Sequence, residues 1–354
     1  ASLAFPVLLV PHLGLVRSAI LFGIVNAGIA LWSTYLFADV LATRRALRVA
    51  AGIVLVLLGV GMAAAGRITD TAEGNIYSDD VIFSRETRYQ RIVLTAWKDD
   101  LRLFLNAHLQ FSSRDEYRYH EALVHPGLSA EPNARRVLVL GGGDGLAVRE
   151  ILRHQGVEHV TLVDLDPTMT RLFTTHPLLT RLNEHAFTSP KVQVINADAF
   201  VWLDQNAEMY DFAVVDFPDP NNYSIGKLYT AAFYRLLARH ITEGGAFVVQ
   251  STSPLFARQS FWSIVETLKS AGLHTYPYHV YVPSFGEWGY VLATRGQYTP
   301  PSTLPDGLRF LTPAAVAQAF DFPRDMGPVA VRPNRLNDQI LVRYYGEEFD
   351  KINR

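Results

Sequence analysis

The sequence predicts an α/β fold in which transmembrane helices and a small antiparallel sheet precede a larger, mostly parallel sheet. Three observations support this prediction: two long uncharged apolar stretches, alternating apolar residues between 76 and 111, and a strand–helix rhythm from Arg135 onwards. With 354 residues and an apolar fraction of 49%, the chain can bury a large core.

The two apolar stretches cover residues 18–38 and 49–66. Spans of roughly 20 apolar residues are what a bilayer about 30 Å thick requires. Residues 1–66 are therefore expected to form transmembrane helices at the end of a larger bundle. A buried hairpin of a soluble protein is the alternative.

Residues 67–115 are expected to form a small antiparallel β domain, because apolar side chains recur at every second position, at Val81 and Phe83, at Ile92 and Leu94, and at Leu101, Leu103 and Leu105. From Arg135, five apolar strands alternate with helices, which predicts a parallel sheet covered on both faces. A closing strand pair, TYPYHVYVP and EWGYVLAT, would lie at one edge. This domain would span residues 116–296, and a Pro-rich stretch would lead into a C-terminal extension over residues 297–354.

Composition excludes several function classes. The formal net charge of -2 gives no support for nucleic-acid binding, which usually needs a clear basic excess. The chain has no cysteine, so disulfides, thiolate metal sites and a cysteine nucleophile are excluded. The 11 histidines show no metal-ligand spacing, and no metal is expected.

The stretch VLVLGGGDGLAVRE, residues 137–150, predicts a strand, a glycine loop and a helix. Gly141, Gly143 and Gly145 resemble a nucleotide-binding loop, but Asp144 would repel a phosphate at the helix N-terminus. A ligand with adenosine at one end and positive charge at the other would instead be attracted. That describes a sulfonium nucleoside, either S-adenosylmethionine or its decarboxylated form, and the second lacks the carboxylate that Asp144 would disfavour.

Carboxylates follow the next three strands as well. Asp164 ends the second strand about 20 residues on, where a carboxylate can reach ribose hydroxyls. Asp198 after the third strand could accept from an adenine amino group, and Asp216 and Asp219 follow the fourth. Each alone could be an ordinary strand-end aspartate. Because ligands gather outside the carboxyl ends of parallel strands, four consecutive strand-end carboxylates predict a binding site.

Together these motifs resemble the spermidine synthases, or polyamine aminopropyltransferases. The resemblance runs over residues 75–296 through SRETRYQRIVL, LQFSSRDEYRYHEALVHP, RRVLVLGGGDG, VDLD, NADAF, VVDFPDP and VPSFGEWGY. The apolar N-terminus and the later NRLNDQILVRYY look like the membrane-embedded bacterial branch of that family. The resemblance implies a Rossmann-like sheet of the class I methyltransferase type, and it implies a homodimer.

The resemblance also implies roles for particular residues. Those expected to bind decarboxylated S-adenosylmethionine are Gln90, Gly141, Gly143, Asp144, Gly145, Asp164, Asp198 and Ala199, with Asp144 on the aminopropyl amine. Asp216 would be the general base. Those expected to line the amine acceptor site are Tyr119, His120, Asp219 and Tyr229, although His120 could equally be a packed, hydrogen-bonding residue.

The sequence departs from the family pattern at the acceptor end. DFPDP replaces DSSDP beside the expected base, and QSTSP stands where an acidic residue is common after the fifth strand. The site would thus have fewer polar side chains to bind the far ammonium group of an acceptor. The identity of the acceptor therefore stays open among putrescine, cadaverine and longer polyamines.

The leading hypothesis is transfer of an aminopropyl group to a di- or polyamine, putrescine to spermidine first, with release of 5'-methylthioadenosine. The alternatives are a methyltransferase that uses S-adenosylmethionine, and a membrane polyamine- or nucleoside-binding module without turnover. Three arginines between the apolar stretches against two outside them would place the large domain outside the cell. Because the co-substrate is made in the cytoplasm, we expect the domain on the cytoplasmic side of the inner membrane.

Overall fold

The structure, a computed structural model, describes residues 10–39 and 42–352. It divides into two compact units, one that ends at Gln110 and one that begins at Phe111. The predicted domain boundaries after residues 66, 115 and 296 stay predictions, and residues 1–9 of the predicted bundle lie outside the described residues.

The first unit contains two long helices, α1 (Val10–Leu36) and α2 (Arg44–Ile76). They pack antiparallel, since a Cβ on Gly23 would lie 3.2 Å from Leu58 and one on Gly61 would lie 3.8 Å from Ile20. Val16–Leu36 and Arg44–Gly66 are long and apolar enough to cross a membrane, by length and composition. Helix α2 continues past the predicted end at residue 66 because hydropathy marks the apolar span and not the last helical residue.

A small sheet follows along the chain, with the strands β1 (Asp80–Glu86), β2 (Arg91–Trp97), β3 (Asp100–Leu105) and β4 (His108–Ser112). The strands lie in the order β1-β2-β3-β4, and the β1–β2 and β2–β3 pairs are antiparallel. The predicted antiparallel sheet is therefore present.

The second unit is a sheet of seven strands, counted over the described residues, with helices on both faces. The strand order is β10-β11-β9-β8-β5-β6-β7; neighbours from β9 to β7 are parallel, and β11 pairs antiparallel with β9 and β10. The strands are β5 (Arg136–Gly141), β6 (His159–Asp164), β7 (Val192–Asn196), β8 (Tyr210–Asp216), β9 (Ile241–Gln250), β10 (His274–Val282) and β11 (Gly286–Thr294). The predicted mostly parallel sheet with an antiparallel edge pair is confirmed.

The helices of this unit are α3 (Glu116–Leu128), α4 (Leu146–Leu152), α5 (Pro167–Thr175), α6 (Pro177–Leu182), α7 (Ala199–Gln205), α8 (Tyr223–Gly226), α9 (Ala231–Arg239), α10 (Arg258–Ser270), α11 (Pro313–Ala319) and α12 (Ile340–Ile352). Side chains alternate across the strands, so that Leu138 and Leu140 join one apolar core while Val137 and Val139 join the other. Both faces of the strands are thus buried, which explains their continuous apolar sequences.

The C-terminal region is tied to the sheet domain at several points. The Glu121 carboxylate on α3 accepts from the backbone N–H groups of residues 309–311, at 2.7 to 2.9 Å. Trp262 on α10 donates its indole N–H to the Met326 carbonyl. Glu348 on α12 accepts from backbone N–H groups in the first turn of α10, which places a negative charge where the helix dipole favours it.

We expect Glu121→Gln to destabilise the chain, because Glu121 is 2% exposed and its two oxygens accept from three backbone donors. The amide nitrogen of glutamine cannot accept, so at least one of these three N–H groups loses its partner, at a cost of about 1–3 kcal/mol. Thermal and urea unfolding of the purified chain measure the change. The exposed Glu243→Gln is the matched control, and equal unfolding of the two variants would contradict this account.

Candidate active site

The loop between β5 and α4 has a backbone that requires glycine. Gly141, Gly142 and Gly145 have φ of 81°, 63° and 76°, a left-handed region that side chains disfavour. A Cβ on Gly141 would overlap the Asp216 carbonyl, and one on Gly143 would lie 2.6 Å from an Asp164 oxygen. The glycines therefore let the loop lie directly against two strand-end aspartates.

Three of the predicted aspartates meet at this edge of the sheet. Asp216 at the end of β8 lies opposite Gly141 at the end of β5, and Asp164 ends the next strand, β6. Asp144 is in the loop and is 8% exposed. Since β5 is flanked by β6 on one side and β8 on the other, the strand order reverses here, and such switch points form ligand crevices in α/β sheets.

The three carboxyl groups have raised pKa values. Burial raises the pKa of Asp216 to about 6, with repulsion from Asp144 adding to the effect. Burial raises the pKa of Asp164 to about 7, and the charges of Asp166 and Asp144 act in the same direction. The pKa of Asp144 is also raised, chiefly by burial. A positive ligand among these groups would stabilise their ionised forms.

Tyr119 and His120 on α3 adjoin this cluster. The Tyr119 hydroxyl donates to Asp216 Oδ1 at 2.6 Å. The rings of Phe285 and Trp288, from the β10–β11 turn and β11, lie 6.2 and 6.3 Å from the Tyr119 ring. These aromatic faces beside a carboxylate form a surface suited to an ammonium group. Sequence reasoning named the motif around Phe285 and Trp288 and did not assign them to the site.

His120 belongs to a buried ionic network. Its Nδ1 lies 2.9 Å from Glu116 Oε2, and Arg149 pairs with both Glu116 oxygens at 2.8 and 2.9 Å. Burial would lower the pKa of His120, but the hydrogen bond to Glu116 outweighs it and the pKa is raised. The raised pKa favours the protonated ring, and in that form His120 lowers the pKa of both Asp144 and Asp216 and partly compensates their repulsion.

Asp198 has two structural partners. One oxygen caps α7 by accepting from the N–H groups of Phe200 and Val201, and the other lies 2.6 Å from Lys227 Nζ. Burial would raise the pKa of Asp198, but Lys227 and the backbone donors lower it, so the group is ionised. Ala199 is the buried first residue of α7. The predicted adenine contact of this turn stays a prediction.

The loop after β8 is held by hydrogen bonds to its backbone. Tyr229 is fully buried and donates to the carbonyls of Phe217 and Pro218 at 3.1 and 3.2 Å. Phe217 packs into the core, with its ring 5.7 Å from that of Phe233. The departure from DSSDP therefore places an apolar side chain in the core. Tyr229 supports this loop, and its predicted contact with an acceptor stays a prediction.

Asp219 accepts hydrogen bonds from residues that sequence reasoning did not assign. Gln250 Nε2 lies 3.3 Å from Oδ1, while Thr252 Oγ1 and Tyr345 Oη lie 3.3 and 2.9 Å from Oδ2. Gln250 and Thr252 belong to QSTSP, so this departure from the family pattern supplies neutral donors to Asp219. No local signal points to Tyr345, which lies 126 residues from its partner.

Gln90 lies in the first unit, in the turn between β1 and β2, where its N–H donates to Thr87 Oγ1. Its predicted contact with a co-substrate stays a prediction. Among residues 10–39 and 42–352, no group of three or more His, Asp or Glu side chains is arranged to hold a metal ion.

Comparisons with known proteins agree with this arrangement. Residues 116–303 match the spermine/spermidine synthase domain. The chain is 51% identical over 356 residues to a polyamine aminopropyltransferase of Leptospira interrogans, covering 99% of this chain and 71% of that protein. It is 53% identical over 359 residues to polyamine aminopropyltransferase 2 of Ralstonia nicotianae, covering 100% of this chain and 70% of that protein.

Solved structures share the fold. A spermidine synthase in complex with the transition state analogue AdoDATO superposes with a TM-score of 0.65 at 24% identity, covering 69% of this chain and 86% of that one. A spermidine synthase from Thermotoga maritima gives 0.63 at 23%, covering 69% and 85%. The sheet is thus the Rossmann-like, methyltransferase-type sheet that the sequence predicted. The chain belongs to the spermine/spermidine synthase family and is a transferase of the polyamine aminopropyltransferase class.

We expect kcat/KM for aminopropyl transfer to fall tenfold per pH unit below about 6, because the raised pKa of Asp216 leaves this candidate base protonated there. Tyr119→Phe removes a hydrogen bond that lowers the pKa of Asp216, so the acidic limb should move to higher pH. A pH profile of kcat/KM measures both.

Tyr278→Phe is the matched control for this profile. Tyr278 is a buried tyrosine whose hydroxyl donates to the Ala122 carbonyl. Its removal should leave the limb in place, and a limb that moves equally in both variants would contradict the assignment.

Proposed function

We propose that the chain transfers the aminopropyl group of decarboxylated S-adenosylmethionine to a linear di- or polyamine, putrescine first, and releases 5'-methylthioadenosine. The observation that supports this most directly is the cluster formed by Asp144, Asp164 and Asp216, whose pKa values are all raised. Both co-substrates are cations, so each would relieve the repulsion among these groups.

The reaction needs a proton acceptor. The amine nitrogen forms a bond to the methylene next to the sulfonium, and the carbon–sulfur bond breaks with its electron pair on sulfur, which leaves a neutral thioether. An alkylamine with a pKa of about 10.4 is protonated at neutral pH, and its deprotonation costs about 4 to 5 kcal/mol. A carboxylate that accepts this proton as attack proceeds lowers the barrier.

Asp216 is the proposed base. Its pKa of about 6 leaves it ionised at neutral pH yet more basic than an ordinary aspartate. The Tyr119 hydroxyl fixes one of its oxygens, which leaves the other to receive the proton. Asp144 in the glycine loop would hold the amine of the aminopropyl group, and Asp164 would accept from the ribose hydroxyls. Orientation of the two reactants would then supply much of the acceleration.

We expect the purified chain, given decarboxylated S-adenosylmethionine and a panel of amines, to form products heavier by one aminopropyl group, together with methylthioadenosine. Asp216→Asn should lower kcat by about 10² to 10⁴-fold, because asparagine cannot accept the proton. Its affinity for methylthioadenosine, which carries no charge, should stay within about threefold of the parent.

Asp204→Asn is the control for this pair, because Asp204 is exposed on α7 and the substitution is the same. Mass spectrometry identifies the products, and calorimetry measures nucleoside binding. Methylated products from S-adenosylmethionine, or an Asp216→Asn variant with the kcat of the parent, would contradict the proposal.

The proposal includes a membrane anchor. Only 6% of each apolar window in α1 and α2 is buried, and Trp32 and Val56 are 66% and 67% exposed. A soluble protein would bury such a hairpin, whereas lipid contact accounts for its exposure. The anchor would lie in the bacterial inner membrane, with the catalytic domain on the cytoplasmic side where the co-substrate is made. Pairing of two copies is part of the same proposal.

We expect protease added to inside-out membrane vesicles to digest the catalytic domain, and protease added to right-side-out vesicles to leave it intact. An immunoblot against residues 116–296 measures this. Protection in inside-out vesicles would contradict the cytoplasmic placement, and recovery of the chain in the soluble fraction without detergent would contradict the anchor.

A further inference from the structure

The C-terminal region reaches the acceptor end of the site through helix α12. Leu341, Tyr345 and Glu348 are spaced along one face of this helix. Leu341 is fully buried in the apolar core that also contains residues of α9 and α10, and Glu348 caps α10 through two backbone N–H groups. These contacts on either side of Tyr345 fix its position.

Asn334 lies in the segment that precedes α12, and it connects this segment to residues 226–229, which follow the candidate base in the chain. Its side-chain amide donates to the carbonyls of Gly226 and Tyr229 at 3.0 and 3.1 Å, and its Oδ1 accepts from Leu341 N–H at 3.3 Å. Asn334 is fully buried. The segment is therefore packed into the same region as Tyr229, whose hydroxyl holds the loop after β8.

Tyr345 donates a hydrogen bond to Asp219. Its side chain is 7% exposed and its hydroxyl lies 2.9 Å from Asp219 Oδ2. Burial, together with the charge of Asp219, raises the pKa of Tyr345, so the hydroxyl keeps its proton and donates. The lone pairs of the same oxygen can still accept from an ammonium group.

Thr252, which also donates to Asp219, has a strained backbone conformation. Its φ of 58° is unusual for a β-branched residue and costs of order 1–3 kcal/mol. The Thr252 carbonyl accepts from the Gly289 N–H at 2.7 Å, and the Thr252 N–H donates to Gln250 Oε1 at 3.1 Å, which together fix this conformation. The strained backbone directs the Thr252 hydroxyl to Asp219, and strain of this kind concentrates at functional sites.

We propose that Tyr345 positions Asp219 to hold the second, non-reacting ammonium group of a linear diamine acceptor, an inference that rests on the proposed function. Gln250, Thr252 and Tyr345 carry no charge of their own, so these three donors orient the Asp219 carboxylate without adding a positive charge beside it. Asp216 lies three residues earlier and takes the proton of the attacking amine. Tyr345 is thus a positioning residue that acts through Asp219, and the C-terminal extension is part of the acceptor site.

The test compares amines of equal carbon length with one or two ammonium groups. For putrescine, or whichever diamine the parent enzyme uses best, Tyr345→Phe should raise KM about 3- to 10-fold, the loss of one hydrogen bond to a charged group. The KM for decarboxylated S-adenosylmethionine should stay within twofold. The monoamine of the same length, assayed as a competitive inhibitor, should have the same inhibition constant in both enzymes, because it has no second ammonium for Asp219 to hold.

Tyr344→Phe provides the matched control, with the same substitution at the adjacent residue of α12. In an Asp219→Asn background, Tyr345→Phe should have no further effect on the diamine KM, since its partner charge is gone. An equal loss for the diamine and the monoamine would show a general structural role and overturn the inference, and so would an unchanged diamine KM. A parent enzyme without aminopropyl transfer would instead overturn the proposed function.

Discussion

The burial of three carboxyl groups at one edge of the parallel sheet, which raises the pKa of each, is the constraint around which the site is built. Asp144, Asp164 and Asp216 come from a loop and two neighbouring strands, and the glycine backbone keeps them close together. Their raised pKa values show that the folded chain holds them at an energetic cost. The apolar cores on both faces of the sheet supply the stability that tolerates this cost, and cationic ligands reduce it.

A buried ionic network next to the three carboxyl groups partly offsets the rise in the pKa of two of them. Glu116 joins His120 and Arg149 in a buried network, and the raised pKa of His120 favours the protonated ring, whose charge lowers the pKa of Asp144 and Asp216. Because charge inside a protein is stabilised only by partners with good geometry, the network on α3 and α4 sets how negative the pocket becomes. In the proposed function, this balance would leave the site negative enough to attract cations while Asp216 remains basic enough to take a proton.

Much of this could be predicted from the sequence, for physical reasons that differ between residues. The glycine loop and Asp164, Asp198 and Asp216 follow from local strand–turn–helix patterns, which a short stretch of sequence determines. The roles expected for Tyr119 and His120 came only from resemblance, since their packing against Asp216 is long-range. The replacements in DFPDP and QSTSP indicated lost polar anchors, whereas Phe217 packs in the core and Gln250 and Thr252 donate to Asp219. Tyr345 could not be predicted, because nothing local marks which face of α12 meets a loop 126 residues earlier.

The separation of 126 residues between Asp219 and Tyr345 also affects the order in which the parts of the site are synthesised. Residues 141–216, which would bind the nucleoside, leave the ribosome well before residues 334–348, and translation adds only about 5–20 residues per second. The residues that would bind the nucleoside are thus synthesised several seconds before Tyr345, whose contact with Asp219 would complete the amine site. In the proposed enzyme, the acceptor site would therefore be completed after the nucleoside site.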